Sequence, residues 1–301
     1  DWSSTQARWR VTAQRIDTGE AIELTCGFLF SCSGYYRYDH GYLPDFAGMD
    51  RFKGTIVHPQ AWPAELDYAG KRVLVIGSGA TAITLIPSLA KTAEHVTMLQ
   101  RSPTYIAVLP SRSPMVNLLR RVLPKSWAGD AIRWFNALTT QAFFQLSRRR
   151  PAYVKKMLRR GVAQQLPPGY DIDTHFTPRY DPWDQRVCLD SDGDLFRAIR
   201  RGTASVVTDH IDTFTETGIR LQSGKELEAD VVITATGLEM LFFGGIELRL
   251  DGVAFNAPSK MTYKGMMLEG LPNAAMAVGY TNASWTLKCE LTCDYVCRLL
   301  N

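Results

Sequence analysis

KRVLVIGSGATAITLIPSLAKTAEHVTMLQRS, residues 71–102, reads as one strand-turn-helix-strand unit. Residues 71–77 run through Val, Leu and Ile to a glycine, as a strand buried on both faces requires. Gly77, Ser78, Gly79, Ala80, Thr81 and Ala82 then turn the chain into an apolar helical stretch, 81–93, and 95–101 returns as a second strand. Glycines in this spacing mean little alone. Between two strands and at the head of a helix they have the context of a dinucleotide-binding turn. Gly77 permits the tight turn, Gly79 lets backbone approach a pyrophosphate, and Ala82 lets the helix pack close to the strand. The helix N-terminus offers free N–H groups and the positive end of its dipole to the phosphates. All six residues are candidate cofactor contacts.

The end of the second strand selects the cofactor. NAD sites place Asp or Glu there to accept from the ribose 2′-hydroxyl. Here the residues are Leu99, Gln100, Arg101 and Ser102, with no carboxylate. Arg101 can fork onto a 2′-phosphate and Ser102 can donate to it, so NADPH is favoured over NADH.

Around this unit the pattern is α/β. Residues 7–14 and 21–34 predict a hairpin, turning at 17–19, that runs into a buried strand ending at Ser33-Gly34. Residues 35–49, rich in Gly, Pro and Tyr, read as a linker. From Pro114 to Gln165 the pattern is helical, broken at Pro124 and Pro151 and stopped at Pro167. Its basic run from Arg148 through Arg160 is expected to be a solvated helix face, with weak peripheral membrane contact left open. Strands resume at 204–211, in a hairpin around Ser223-Gly224 and at 230–237, and a last helix begins near Asn282.

Composition narrows the function classes. At 301 residues, 46% hydrophobic and 21% charged, the chain has the make-up of a soluble globular protein with room for two domains. A formal charge of +4 is too small an excess to argue for a nucleic-acid partner. No run is long and apolar enough to span a bilayer, and no signal peptide opens the chain. Six scattered cysteines favour a reducing cytoplasm over a disulfide scaffold. Cys289, Cys293 and Cys297 recur every four residues on one helix face, but without a His or carboxylate set they read as small buried hydrophobes, and no metal site is expected. Asp1 at one end and an unfinished helical pattern at the other suggest an internal fragment.

Upstream of the glycine turn, FKGTIVHPQAWP (52–63) contains Phe52, Gly54, His58, Trp62 and Pro63 in the spacing F-x-G-x-x-x-H-x-x-x-W-P. This string resembles the fingerprint of Baeyer–Villiger monooxygenases, flavoproteins that use NADPH and O2 to insert oxygen beside a carbonyl. The likeness extends through FLFSCSGYY, HVTMLQRSPTYI, YDPWDQRVCL, GDLFRAIRRG, ITATGL, MTYKGMML and VGYTNASWTLK, and points to a mycobacterial, thioamide-oxidising subgroup. It implies FAD and NADPH as cofactors and an NADP-binding Rossmann-type domain inserted in a truncated FAD-binding domain. In that scheme 1–68 and 237–301 are FAD-domain segments, 69–112 and 176–236 the two parts of the NADPH domain, and 113–175 a helical insertion. The glycine fingerprint for FAD would lie before residue 1.

The resemblance also carries site residues. Arg186 matches the family's active-site arginine, whose task is to hold the oxidant as its nucleophilic anion and then stabilise the adduct on the carbonyl. Family members often have Lys before it, where this chain has Gln185, so one cation near the 2′-phosphate is missing. His58 is placed in the linker as a hydrogen-bonding group governing domain pose and is counted with Arg186 in the catalytic set. Trp62, Ala235, Thr236 and Gly237 are further cofactor candidates, and Asn282 and Ala283 stand at a helix N-terminus expected to face the flavin. The implied substrates are O2 and a ketone, giving an ester or lactone, or a sulfur compound. An N- or S-oxygenating enzyme and an inactive NADP-binding module are the alternatives.

Overall fold

The computed structural model describes residues 1–185, 187–280 and 285–301. They form two compact units, one of Asp1–Asp39 with Leu238–Asn301 and one of His40–Gly237. The connection 40–68 belongs with the second unit because Thr55–Val57 is the edge strand of that unit's main sheet.

That sheet is five-stranded and parallel, in the order Ala204–Thr208, His95–Gln100, Arg72–Ile76, Val231–Thr234, Thr55–Val57. Arg72–Ile76 is central and its Val73, Leu74, Val75 and Ile76 are all buried, which is why the sequence runs apolar without alternation. Val73 and Val75 meet Ile83 and Ile86 of helix α1 (Ala80–Leu89). On the opposite face Leu74 and Ile76 meet Phe52, Phe214, Ile219 and Leu221. Helix α1 stops four residues before the expected 93. Pro87 brings no N–H to its last turn, and the N–H groups of Thr92 and Ala93 both turn back to the Leu89 carbonyl.

The predicted insertion forms helices α2 (Pro114–Val122), α3 (Lys125–Arg149) and α4 (Pro151–Gln165), separated at the expected prolines. Ser113 caps α2 by accepting from the Val116 N–H. α4 buries Val154 and Leu158 against Tyr105 and Val187. Along the basic run Arg148, Arg149, Arg150, Lys156, Arg159 and Arg160 are exposed, as a solvated face requires. α2 buries nothing and α3 only Ala128 and Ser147, leaving Trp127, Trp134 and Leu138 exposed.

In the first unit the hairpin Arg8–Gln14 with Ala21–Cys26 is present. The expected buried strand to Ser33-Gly34 is not. Ala21–Cys26 is the sheet's exposed edge, bonded only to Arg8–Gln14. The chain then breaks at Gly27, and the half-buried Leu29–Ser31 pairs in parallel with Ala274–Met276. The last helix, Trp285–Leu300, buries Thr292 and Val296, so Cys293 and Cys297 one position on are exposed instead of packing as hydrophobes. No metal-binding group occurs among the described residues, and none of their helices is long and apolar enough to cross a membrane.

Candidate functional site

The glycine turn leaves the central strand at the C-terminal edge of the sheet, where open α/β sheets bind ligands. Gly77 has φ 128° and its N–H donates to Leu99 O at 2.8 Å. A Cβ there would overlap the Ala235 carbonyl oxygen, so only glycine lets these two segments approach. Gly79 is different. A Cβ on it would meet nothing within 4 Å. As N-cap of α1 it provides no side-chain acceptor for the helix's first N–H groups. A pyrophosphate would supply such acceptors, so the turn is compatible with the group its sequence suggested. Ala82 is fully buried against the strand, as close packing requires, while Ala80 and Thr81 are exposed. Ser78 Oγ lies 2.9 Å from Thr104 Oγ1.

Arg101 and Ser102 follow the neighbouring strand and are exposed. Just before them Gln100 is buried, its amide donating to His175 O at 2.8 Å and Thr208 Oγ1 at 2.9 Å. His175 Nδ1 is also 2.8 Å from Thr208 Oγ1. Burial holds the His175 pKa below its ordinary value, with Lys225 acting in the same direction and Asp171 opposing. This Gln100–Thr208–His175 network ties the ends of two strands to residues 171–176 beside Arg101. It is absent from the sequence reading, because its members lie 33 to 108 positions apart and none belongs to a recognisable motif.

The fingerprint string forms a clasp. Phe52 is buried edge-on to Phe214, ring centroids 6.1 Å apart. At Gly54 a Cβ would meet Asp230 O at 2.5 Å. His58 Nε2 lies 2.9 Å from Gly237 O, and its Nδ1 accepts from the Gln60 N–H at 3.2 Å. Both ring nitrogens are thereby engaged, one with a carbonyl oxygen and one with a backbone N–H. Gly41 lies flat against the ring, where any Cβ would collide with it. The same clasp holds 235–237: Gly237 O also accepts from Tyr42 N–H at 3.1 Å, and Thr236 Oγ1 donates to Tyr42 O at 2.5 Å. Trp62 is half-buried, packs on the sheet's core and meets Tyr68 edge-on at 6.4 Å. Ala235, Thr236, Gly237 and His58 are thus brought together with Gly77.

The segment leading to residue 186 is held from three sides. Tyr105 donates to Tyr180 O at 2.8 Å, and burial pushes the Tyr105 phenol up to about 12. Lys155 of α4 pairs with Asp181 at 2.6 Å. Arg148 of α3 donates to Asp184 at 2.6 Å and holds that carboxyl below its usual range. Trp183 has φ 73° and packs edge-on against Phe143 and Phe144, its indole N–H buried with no partner among the described residues. Gln185 is exposed, and Cys188, two residues past position 186, places its Sγ 4.0 Å from Ser78 O at the glycine turn. Arg186, Asn282 and Ala283 lie outside the described residues.

Residues 1–119 match the family described as flavin-binding monooxygenase-like. Over its whole length the chain is 55% identical to the FAD-containing monooxygenase EthA of Mycobacterium tuberculosis, covering 61% of that protein. It is 52% identical over 275 residues to the probable FAD-binding monooxygenase AlmA of Acinetobacter baylyi, covering 91% of this chain and 55% of that one. The chain therefore spans about three-fifths of the length of the EthA sequences it matches. Among solved structures it is similar in fold to an oxidised steroid monooxygenase bound to NADP (TM-score 0.73, 22% identity, 98% of this chain and 64% of that one). It is likewise similar to an open form of cyclohexanone monooxygenase (TM-score 0.71, 22% identity, 97% and 65%).

Proposed function

We infer that the chain belongs to the flavin-binding monooxygenase-like family and that it carries the NADPH site of an FAD-dependent monooxygenase of Baeyer–Villiger type. In this reading 40–112 and 176–237 form the NADPH-binding part, 113–175 is an insertion in it, and 1–39 with 238–301 belong to the FAD-binding part. The whole protein inserts one oxygen atom of O2 beside a ketone carbonyl, giving an ester or lactone. The supporting observation is the uncapped N-terminus of α1 with open space at Gly79, next to a strand end that carries Arg101 and Ser102 and no carboxylate.

When bound, the two cofactors supply hydride and activated oxygen, chemistry no side chain provides. The protein's part is to bind and orient. The N–H groups at the head of α1 hold the pyrophosphate. Arg101 takes the 2′-phosphate as a permanent cation, with Ser102 as a second donor. His58, with both nitrogens occupied, clasps 41–42 and 237 together. Arg186 is assigned to hold negative charge where oxygen meets the carbonyl, which a guanidinium does at any working pH. FAD comes to this chain from the names of its relatives. The glycine turn at 77–82 is assigned to NADPH alone.

The test uses the complete protein with NADPH, O2 and either a cyclic ketone or a thioether. Ester or lactone, identified by NMR and by hydrolysis, is expected from the ketone. Sulfoxide formation with no ester would replace the ketone reading by S-oxygenation, and NADP+ binding with neither product would reduce the protein to a nucleotide-binding module.

A further inference from the structure

We propose that the α2–α3 hairpin docks on an anionic lipid surface. Two properties of the hairpin coincide. The first is an exposed apolar stripe on each helix. Met115, Leu118 and Val122 recur at helical spacing on α2, and Trp127, Trp134 and Leu138 do so on α3. Trp127 is 69% exposed, Trp134 65% and Val122 69%, far from the burial that large apolar side chains ordinarily reach. Clustered exposed apolar surface of this kind marks a site of association.

The second property is charge. Residues 112–165, the hairpin together with α4, contain twelve Lys and Arg against one acid, Asp130, and seven of the twelve lie in 112–149. The rest of the chain has 22 basic residues against 29 acidic, so its sign is reversed. The net +4 of the whole hides a strongly cationic insertion on an acidic body. Some of these cations face the protein, as Arg148, Lys155 and Arg159 do in pairs with Asp184, Asp181 and Asp173. Arg120, Arg121 and Lys125, close in sequence to the turn that joins α2 and α3, form no ion pair among the described residues and are exposed.

Charge complementarity selects the occupant. A nucleic acid would meet the cations but leave Trp and Leu nothing to enter, and a neutral apolar partner would leave the cations unmatched. An anionic bilayer answers both, since Lys and Arg meet headgroups while Trp, Leu and Met enter the acyl boundary. Trp in particular prefers the membrane–water interface. The mode is peripheral, because no described helix is long and apolar enough to cross.

The test is sedimentation of the full-length holoprotein with vesicles of mixed phosphatidylglycerol and phosphatidylcholine, or of phosphatidylcholine alone. Binding to the anionic vesicles is expected to be at least about tenfold tighter and to weaken when salt rises from about 0.1 M to about 0.5 M. The Trp127→Ser/Trp134→Ser and Arg120→Glu/Arg121→Glu variants should each lose at least about tenfold in vesicle affinity, with flavin content and melting temperature unchanged. Equal affinity for the two vesicle types, no binding, or full binding by the charge variant would overturn the proposal. So would protection of Trp127 and Trp134 from acrylamide quenching before vesicles are added, because the stripes would then be covered by other parts of the polypeptide or by a second copy. Tighter binding to DNA, unaffected by the tryptophan substitutions, would assign the surface to nucleic acid. None of these readouts depends on oxygenase activity, so the reaction assignment and the docking assignment fail separately.

Discussion

Trp183 packs edge-on against Phe143, ring centroids 6.3 Å apart and planes at 72°, so a helix of the insertion braces the segment three residues before Arg186. The bracing is of two kinds. Phe143 and Phe144 contribute packing, whereas the Arg148–Asp184 pair is exposed on both sides and adds orientation with little stability.

Trp183→Ala is therefore expected to lower stability by about 2 kcal/mol, less than a fully buried tryptophan would because the side chain is only partly buried. Trp183→Gly should be more stable than the alanine variant by up to about 1 kcal/mol, since φ 73° strains every residue but glycine. Arg148→Ala should leave the melting temperature unchanged and lower kcat for the ketone while the NADPH KM stays constant. Thermal unfolding ranks the three variants. An alanine variant more stable than the glycine one would show that strain at 183 is not felt.

Gly77 and Gly79 belong to one motif but answer to different constraints, and alanine separates them. Gly77→Ala puts a Cβ onto the Ala235 carbonyl at a left-handed φ, and is expected to unfold the turn and cost several kcal/mol. At Gly79 the protein itself leaves room and φ is ordinary, so Gly79→Ala should melt with the parent. Its Cβ occupies the space assigned to the pyrophosphate, so NADP+ affinity should fall by about tenfold or more, as calorimetric titration would show. Unchanged affinity would remove Gly79 from the phosphate site.

The part of the fold legible in sequence is the part made by neighbours in the chain. The strand at 72–76, the glycine turn and α1 are built from contiguous residues whose burial leaves an unbroken apolar run, and the prolines at 124 and 151 break helices by a local rule. Burial of 21–34 was not legible, because alternation shows that a strand forms and not whether anything covers it. The same limit hid the apolar stripes of α2 and α3, whose spacing is that of an ordinary core-facing helix. At the site, Phe52, Gly54 and His58 are explained by packing visible only once strand 55–57 lies beside 231–234. The bond from Gln100 to His175 joins residues 75 positions apart, and no local pattern announces it.

His175 gives that network a pH signature. Burial lowers its folded-state pKa below the ordinary 6.5, so the folded protein prefers the neutral ring. As pH falls through 6.5 the unfolded chain takes up the proton first, and stability is lost progressively until the lower folded value is passed. Above 6.5 both states are neutral and the contribution is complete. His175→Gln should flatten melting temperature against pH between neutrality and about pH 5. The same slope with and without His175 would show that another group carries it.

Arg101 is the residue proposed to choose between two nicotinamide cofactors that differ by one phosphate. It is exposed at a strand end whose own residues 99–102 include no carboxylate, and position 185 carries Gln, with no second cation. Hydrogen bonds to charged groups contribute about 1.5–3 kcal/mol, which corresponds to roughly 10- to 150-fold in affinity. Arg101→Ala should therefore raise the NADPH KM by that factor and leave the NADH value within about twofold, since NADH offers the guanidinium no phosphate at the 2′ position. Arg101→Lys should fall between, retaining the charge and losing the fork. Gln185→Lys supplies a second cation and should lower the NADPH KM of the parent without helping NADH. Steady-state kinetics with both cofactors across these variants distinguishes the cases: parallel changes for NADPH and NADH would assign Arg101 to shared parts of the nucleotide or to folding, and not to the 2′-phosphate.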